Sequence, residues 1–420
     1  MAITIGSGLP EAGQPSRSTR YQFILITLLS LNFGIVFFDR NALSFLMPFI
    51  QPQLKLSNTQ VGMLVSALSF TWALAAFGIG KLSDSLGSRK LLLILSTVAF
   101  SLCSFLTGIA GSFALLLGAR LLMGVAEGGI APISHAMVAA EVSPERRGLA
   151  QGITQNFGSN LLGSFVAPVL LIAFATHYGW RAAFFLTGVP GLITSILMWF
   201  MLDEPQQAHA SHERQQKKAK LGDVLRDGNV LICATLSMLL VSYLVVCWVF
   251  MPLYLTQARH IAPDSMSWLM GVLGISATIG SFAVSYLSDR IGRRPVMIAM
   301  PFVGVILPLS ALYFDGSLWL LAVLFFIGWG LNGILPLLMA TVPSESVDTR
   351  LVATALGLCM GTGEILGGVL APSLAGMAAD HLGLAAPLWI MVGLTVLAGF
   401  CALGLRETAP ARLRAAAQHA

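Results

Sequence analysis

The chain has 420 residues, of which 56% are hydrophobic and only 10% are charged, and its mean hydropathy is +0.81. Soluble globular domains carry about 25% charged residues, so this composition excludes that class and indicates an integral membrane protein. The net charge of +5 then reflects how Lys and Arg are placed around a membrane with anionic headgroups. We therefore expect the lipid bilayer, and no nucleic acid, as a partner.

The first 20 residues are polar and rich in Gly, Ser and Pro. They lack the basic-then-apolar order of a cleavable signal, so we expect a cytoplasmic tail. Apolar stretches follow that match the roughly 20 residues a helix needs to cross a bilayer. Because they show no strand-like alternation, and because backbone groups in lipid must bond within their own segment, they predict helices. The twelve stretches are 22–50, 58–81, 90–110, 113–140, 148–175, 180–202, 229–257, 265–288, 294–313, 317–343, 350–378 and 383–405.

The placement of Lys and Arg predicts the orientation of these helices. With both termini in the cytoplasm, 19 of the 24 basic residues lie in the tails and loops on that side, 3 lie outside and 2 lie within helices. Such a bias marks the cytoplasmic side of a membrane protein. We expect a multi-pass protein of the inner (plasma) membrane, acting as a monomer, with both ends in the cytoplasm.

The sequence repeats itself at an offset of about 204 residues. GVAEGGIAP at 124–132 matches GWGLNGILP at 328–336, and LDEP at 202–205 resembles LRET at 405–408. Two similar halves are typical of secondary transporters, which hold substrate near mid-membrane between the halves. The predicted organisation is a tail (1–20), a six-helix bundle (21–202), a cytoplasmic linker (203–227), a second six-helix bundle (228–405) and a tail (406–420).

Three motifs carry a resemblance to a known family. GKLSDSLGSRK at 80–90 resembles the loop motif between helices 2 and 3 of the major facilitator superfamily, and RLLMGVAEGG at 120–129 resembles its helix-4 motif. FFDRNALSFLMP at 37–48, taken with the helix-4 charges, resembles the anion:cation symporter family, which includes sugar-acid, phthalate-type and sialic-acid transporters. The resemblance implies an all-α membrane protein whose twelve helices form two pseudo-symmetric six-helix bundles.

Helix 1 carries Asp39 and Arg40 inside an apolar stretch. A charge within the membrane is costly, which makes it a candidate functional residue. Adjacent helical residues point about 100° apart, so the two have separate tasks. We predict that Arg40 faces the central cavity and binds the anion, while Asp39 faces another helix and carries a coupling proton. The alternative is a pair of charges at a helix end near the membrane surface.

Helix 4 carries Arg120 and Glu127, seven residues apart and therefore on one face. We predict that Arg120 binds the carboxylate of a substrate, with Glu127 releasing it on protonation. The alternative is a permanent buried ion pair. The resemblance further implies proton coupling by His135, since two branches of the family place a histidine there.

Further polar and aromatic residues complete the predicted site. Gln155 and Asn156 in helix 5 are candidate hydrogen-bond partners of a substrate, and Trp72 and Tyr243 are candidate cavity rings. Glu364 in helix 11 is a third membrane acid, for which we predict a role in proton coupling, beside a cavity, gate or structural role. The five cysteines form no CxxC pair or Cys/His cluster, so we expect no metal site and no cofactor.

The loop motifs predict a gate on the cytoplasmic side. Asp84 should pair with Arg89 and with the ends of neighbouring helices, and Asp289 with Arg294 should do the same in the second half. None of these residues needs to touch substrate.

These features predict a secondary transporter that takes up a small organic carboxylate, such as a sugar acid or an aromatic acid, together with protons by alternating access. Related sugar-acid carriers often have Tyr where this chain has Phe37 and Trp72, which favours a less hydroxylated substrate. The alternatives are a proton-coupled drug or metabolite antiporter, which two cavity arginines disfavour, and a non-transporting nutrient receptor. No nucleophile–base pair or phosphate loop indicates an enzyme.

Overall fold

The computed structural model describes residues 18–86, 88–205, 224–348, 351–409 and 412. Regular structure within these ranges is entirely helical. The tail at 1–17, most of the linker (206–223) and most of the second tail lie outside the described residues. The predicted roles of those segments are therefore still predictions.

Ten apolar helical spans in the described part of the chain are long enough to cross a membrane. One of them, Leu149–Met201, is interrupted at Gly179, whose φ of 81° and ψ of 158° end one helix and start the next. With this break and the shorter helix Ala386–Ala402, the spans are consistent with twelve crossings. The helices are α1 Thr19–Leu54, α2 Asn58–Leu86, α3 Arg89–Gly108, α4 Phe113–Glu141, α5 149–178, α6 180–201, α7 Gly228–Ala258, α8 Pro263–Ile291, α9 Arg293–Tyr313, α10 Leu318–Ser346, α11 Thr354–Leu382 and α12 Ala386–Ala402.

Part of the internal repeat in the sequence corresponds to a shared structure at the starts of α3 and α9. The Glu204 carboxylate accepts the backbone N–H groups of Arg89 and Lys90 at the start of α3. Glu407 accepts those of Arg293 (2.8 Å) and Arg294 (3.2 Å) at the start of α9. A carboxylate at a helix N-terminus satisfies N–H groups that have no partner within the helix and complements the helix dipole. The matching LDEP and LRET segments are thus equivalent caps in the two bundles.

The two bundles pack against each other toward the ends of the helices that are remote from the chain termini. Gly62 of α2 lies so close to α11 that a Cβ there would clash with the Pro372 carbonyl oxygen. The hydroxyls of Ser66 and Ser373 are 2.8 Å apart across the same contact, and Gln257 of α7 donates to Gln51 of α1 at 2.9 Å. These contacts close that end of the molecule.

Asp380 of α11 adds a more strongly polar contact to this closed end. Its carboxylate accepts the backbone N–H groups of Asn58 and Thr59 at 2.8 Å each, and the Thr59 hydroxyl at 2.6 Å. A residue of the second bundle therefore caps the N-terminus of α2 in the first bundle. We call these three hydrogen bonds the Asp380 clasp.

Candidate functional site

Asp39 lies in the interior of the first bundle, where α1 faces α3 and α6. The side chain is fully buried, and Thr187 of α6 donates its hydroxyl to Oδ1. Ser104 of α3 also faces the carboxyl group. Oδ2 has no hydrogen-bond partner among the described residues. The geometry agrees with the prediction that Asp39 faces other helices, not the cavity.

Arg40 points away from Asp39 and is only partly buried. Its guanidinium lies over the rings of Trp72 (5.4 Å to the centroid) and Phe37 (5.8 Å), and Nη2 donates to the Ser69 hydroxyl at 3.5 Å. Aromatic faces attract a guanidinium without using its N–H donors. Most donors of Arg40 therefore stay available to a ligand, with Trp72 beside them.

Arg120 is 1% exposed and sits between Asp39 and α6. Its guanidinium lies 5.7 Å from the Phe184 ring centroid, and Nη1 approaches the Met123 sulfur at 3.2 Å. Nε and Nη2 have no partner in the described part of the chain. Of the opposite charges around it, Asp39 has the largest electrostatic effect and Glu127 the second largest.

Glu127 is also 1% exposed, and both of its carboxylate oxygens lack a hydrogen-bond partner among the described residues. Its strongest opposite charge is Arg40, ahead of Arg120. A direct Arg120–Glu127 pair is therefore not observed, contrary to the sequence-based expectation. The physical reason is that seven residues of helix rise by about 10 Å, and the Arg120 guanidinium lies against Met123 and the Phe184 ring.

Asp39, Arg40, Arg120 and Glu127 together form what we call the charge cluster. Each interacts electrostatically with others of the set. Two cations balance two carboxylates, so the cluster is neutral when all four are ionised. Charge balance matters here because an uncompensated charge inside a membrane protein is costly.

The side chains of His135 and Gln155 lie close to each other. The His135 ring is also 6.1 Å from the ring of Phe33. Gln155 and Asn156 are exposed within the π-helical turn Ile153–Phe157 of α5. Turns of this kind occur often at functional sites. His135 and Gln155 thus form a polar pair, and His135 lies eight residues, or about 12 Å, beyond Glu127 along α4.

The structure differs from the prediction for Tyr243, which is fully buried and does not line a cavity. Its hydroxyl donates to the Gly304 carbonyl oxygen at 3.0 Å, and its ring lies 5.8 Å from that of Trp329. The sequence of α7 is apolar on all sides, so it contains no signal for which face packs inward. Glu364, by contrast, is partly buried on α11, and its Oε2 lies next to Gly368 where α11 meets Ser69. This places the acid near Arg40.

The gate residues of the second half are arranged differently from the expectation. Asp289 pairs with Arg293, whose guanidinium also contacts Glu345 at 3.1 Å. Arg294 donates instead to the Leu403 carbonyl oxygen at 3.1 Å. The reason is the corner at Gly292, where a φ of 108° turns the chain so that Arg293 faces Asp289.

In the first half, the side chain of Asp84 lies outside the described residues, so its predicted pairing with Arg89 stays a prediction. The Arg89 backbone is held by Glu204. Residues that the sequence analysis did not single out include Met123, Phe184 and Thr187 around the two buried charges. Their residue types are ordinary in membrane helices and gave no signal on their own.

Comparison with known proteins identifies the family. The family model of the Major Facilitator Superfamily matches residues 29–250 and 231–419. The chain belongs to this superfamily. The predicted family is thereby confirmed, and the chain is a multi-pass membrane transporter by family, not an enzyme.

Curated relatives are similar along most of their length. A probable 4-methylmuconolactone transporter of Cupriavidus pinatubonensis is 30% identical over 83% of this chain and 82% of the relative. The hexuronate transporter of Bacillus subtilis is 31% identical over 66% and 68%, and the gallate transporter of Pseudomonas putida is 27% identical over 94% and 93%.

Solved structures share the fold. A bacterial homologue of the human lysosomal transporter Spinster, in an inward-facing occupied conformation, superposes with a TM-score of 0.77 at 17% identity, covering 92% of this chain and 96% of that one. The nucleoside transporter NupG gives a TM-score of 0.74 at 15% identity, covering 92% and 98%. The predicted all-α membrane fold of this superfamily is confirmed by this likeness and by the all-helical structure of the described residues, and the predicted twelve helices are consistent with it.

Proposed function

We propose that this protein takes up a small organic carboxylate together with a proton. The observation that carries the proposal is the position of Arg40, the partly buried member of the charge cluster, whose guanidinium lies over two aromatic rings beside three fully buried charges. A guanidinium binds carboxylates in a fork geometry. Relatives that are named transporters of hexuronate, gallate and gentisate support an organic anion as the substrate.

Charge balance supports proton coupling. A monocarboxylate that binds Arg40 adds one negative charge to a cluster that is neutral without it. Protonation of one acid, Glu127 or Asp39, restores neutrality, and both carboxylates have oxygens without partners in the described structure to accept that proton. Binding of the anion then favours binding of the proton, and the reverse, which is the coupling that a symporter needs. The proton gradient supplies the energy, and no cofactor takes part.

The ring surfaces around Arg40 favour an aromatic or otherwise weakly hydroxylated acid. Phe37 and Trp72 offer flat apolar faces and contribute no hydroxyl donor near the cation. Gln155 and Asn156, exposed near the start of α5, are polar amides that would be unfavourable against lipid and suit a cavity between the bundles. They are the candidates for hydrogen bonds to the remote end of the substrate.

Alternating access requires the closed end of the molecule to open. With both termini in the cytoplasm, the end closed by the Asp380 clasp faces the outside, and substrate enters when α2 and α11 separate. His135 and Glu364, near the cluster from either bundle, are placed to sense this movement. The gate at the cytoplasmic ends of the helices is then formed by Arg293 with its partners Asp289 and Glu345. Arg294 stabilises the same corner through its bond to the Leu403 carbonyl.

Asp380→Ala should shift the protein toward the outward-open form, because it removes three hydrogen bonds, two of them from backbone N–H groups of α2. Hydrogen bonds to a charged group contribute about 1.5–3 kcal/mol each, so even partial loss changes the population severalfold. The measurement is labelling of a cysteine introduced at Ser66 by a membrane-impermeant maleimide. Asp264→Ala, on the same side at the start of α8, is the control and should leave labelling unchanged.

The function itself is tested with purified protein in liposomes, using labelled 4-hydroxybenzoate and glucuronate as probes and protein-free vesicles as background. We expect an acid exterior to accelerate uptake of at least one probe. Arg40→Ala should lower uptake by about a hundredfold, and Arg40→Lys should retain part of it because the charge remains without the fork. Uptake that ignores the pH gradient would exclude proton coupling, and uptake that survives Arg40→Ala would exclude the proposed anion site.

A further inference from the structure

Buried polar residues in the first bundle recur at a spacing of seven on four different helices. Each member is at most 1% exposed. A spacing of seven keeps two residues on one face of a helix, two turns apart. The pairs are Asp39 and Asn32 on α1, Ser104 and Thr97 on α3, Arg120 and Glu127 on α4, and Thr187 and Thr194 on α6.

The pairs form two stacked polar layers inside the bundle. The helices alternate in direction, and in every pair the second residue lies nearer the end that carries the termini. The first layer is built around Asp39 and Arg120. The second lies about 10 Å closer to the termini and contains Glu127, Asn32 and Thr97. Within it, the Thr97 hydroxyl donates to the Leu93 carbonyl oxygen at 2.9 Å and also lies 3.3 Å from the Asn32 side-chain oxygen.

Several atoms of the second layer have no hydrogen-bond partner in the described structure. They include Nδ2 of Asn32 and both carboxylate oxygens of Glu127. One further step of seven along α4 leads to Ser134, which is fully buried and whose hydroxyl also lacks a partner there. Leu29, Ile130 and Met137, each three residues from one of them along the helix, belong to one buried apolar cluster. Buried polar atoms are rarely left without a hydrogen bond, and buried water molecules commonly bridge those that have no protein partner.

Several other buried hydroxyls of the same bundle are satisfied within their own helix, whereas those of Ser83 and Thr154 also lack a partner in the described structure. Thr194 donates to the Pro190 carbonyl oxygen at 2.8 Å, and Ser195 donates to that of Gly191 at 2.9 Å. Bonds of this type are ordinary for hydroxyls in membrane helices. The unbonded atoms of Asn32, Glu127 and Ser134 differ in that they lie on α1 and α4 from Glu127 toward the terminal end.

We propose that Asn32, Thr97 and Ser134 hold a short chain of waters that carries the proton from Glu127 to the side of the termini, separate from the substrate cavity. This inference rests on the proposed proton coupling. Glu127 gives its proton to the adjoining water and becomes a carboxylate, and one proton leaves the far end of the chain into the aqueous phase. Asn32 and the hydroxyls orient the waters and do not change their own protonation.

The charged and titratable groups around Glu127 are compatible with proton movement from Glu127 toward the side of the termini. Asp39 and Arg40 face it from α1, Arg120 from α4 itself and Cys103 from α3. The two cations disfavour a proton moving back toward the first layer. On the other side of Glu127, the next ionisable residue on the same face of α4 is Glu141, which is buried near the terminal end.

Asn32→Leu, Thr97→Val and Ser134→Ala test the inference, since each removes polar atoms at nearly constant shape. Two rates are compared in liposomes: uptake of 4-hydroxybenzoate driven by a pH gradient, and counterflow exchange at equal pH, which needs no net proton transfer. We expect gradient-driven uptake to fall by about tenfold or more and counterflow to change far less. The pH profile of uptake should flatten in the same variants. Ser195→Ala, which removes an internally satisfied hydroxyl at similar burial, is the matched control.

Each outcome decides the inference. Equal loss of both rates in all three variants would mean a structural role for the layer, and unchanged gradient-driven uptake would overturn the water chain directly. If Asn32→Leu fails to fold, Thr97→Val still tests the inference, because it leaves the Asn32 side chain in place and removes the hydroxyl beside it. Failure of the proposed function is distinguishable, because wild-type uptake would then itself ignore the pH gradient.

Discussion

Glu127→Gln is expected to lower gradient-driven carboxylate uptake by about a hundredfold, while counterflow exchange continues. The glutamine has nearly the same shape as a protonated Glu127, so it maintains the charge state in which anion binding is favoured. It cannot release a proton, so the step that couples the two fluxes is lost. Initial rates in liposomes, with and without an imposed pH gradient, measure the effect.

The sign of the pH dependence gives a second, independent readout. In the wild-type protein, acidification supplies the proton that offsets the charge of the bound anion, so apparent affinity should rise as pH falls. In Glu127→Gln this offset is permanent, and affinity should change little over the same pH range. Glu204→Gln is the control, because Glu204 is an acid outside the cluster whose oxygens accept backbone N–H groups. A variant with normal pH-driven uptake would remove Glu127 from the mechanism and leave Asp39 as the proton carrier.

The fold could be predicted from the sequence because membrane crossing imposes strong constraints. The apolar stretches must be helical, and the repeat divides them into two bundles. Even the break between α5 and α6 coincides with Gly179, in the gap between two predicted stretches. The caps formed by Glu204 and Glu407 were visible as matching segments, although their role as helix caps needed coordinates.

Side-chain pairing could not be predicted, because it depends on directions that spacing does not determine. Arg120 and Glu127 share a face, yet neither carboxylate oxygen of Glu127 has a hydrogen-bond partner in the described structure. Arg293 and Arg294 are adjacent, and only the backbone angle at Gly292 decides which one meets Asp289. Asn32 was missed because a single buried amide is common in membrane helices. Its meaning comes from the same spacing recurring on three neighbouring helices.

Arg120→Met is expected to reduce both stability and transport more than any other single change at the cluster. The substitution keeps an apolar chain of similar reach but leaves Asp39 and Glu127 facing only one cation, Arg40. Arg120 forms no close ion pair with either acid among the described residues, but all three charges are buried, and leaving a buried charge uncompensated costs up to about 3–5 kcal/mol. The midpoint of thermal unfolding in detergent should fall by several degrees, and carboxylate uptake should drop to background.

The double variant Asp39→Asn/Arg120→Met separates charge balance from packing. Neutral asparagine leaves only Arg40 and Glu127 ionised, so the cluster is balanced again, and the amide can still accept the Thr187 hydroxyl. We expect the double variant to be more stable than Arg120→Met alone, a non-additivity that a double-mutant cycle reports as coupling energy. Arg290→Met, at an exposed arginine over the Tyr286 ring, should cost little and controls for loss of a cation in general. A double variant less stable than either single one would show that shape, not charge, governs these positions. Recovery of stability without recovery of transport would instead assign Arg120 and Asp39 to the transport cycle itself, since balance alone would then be insufficient for function.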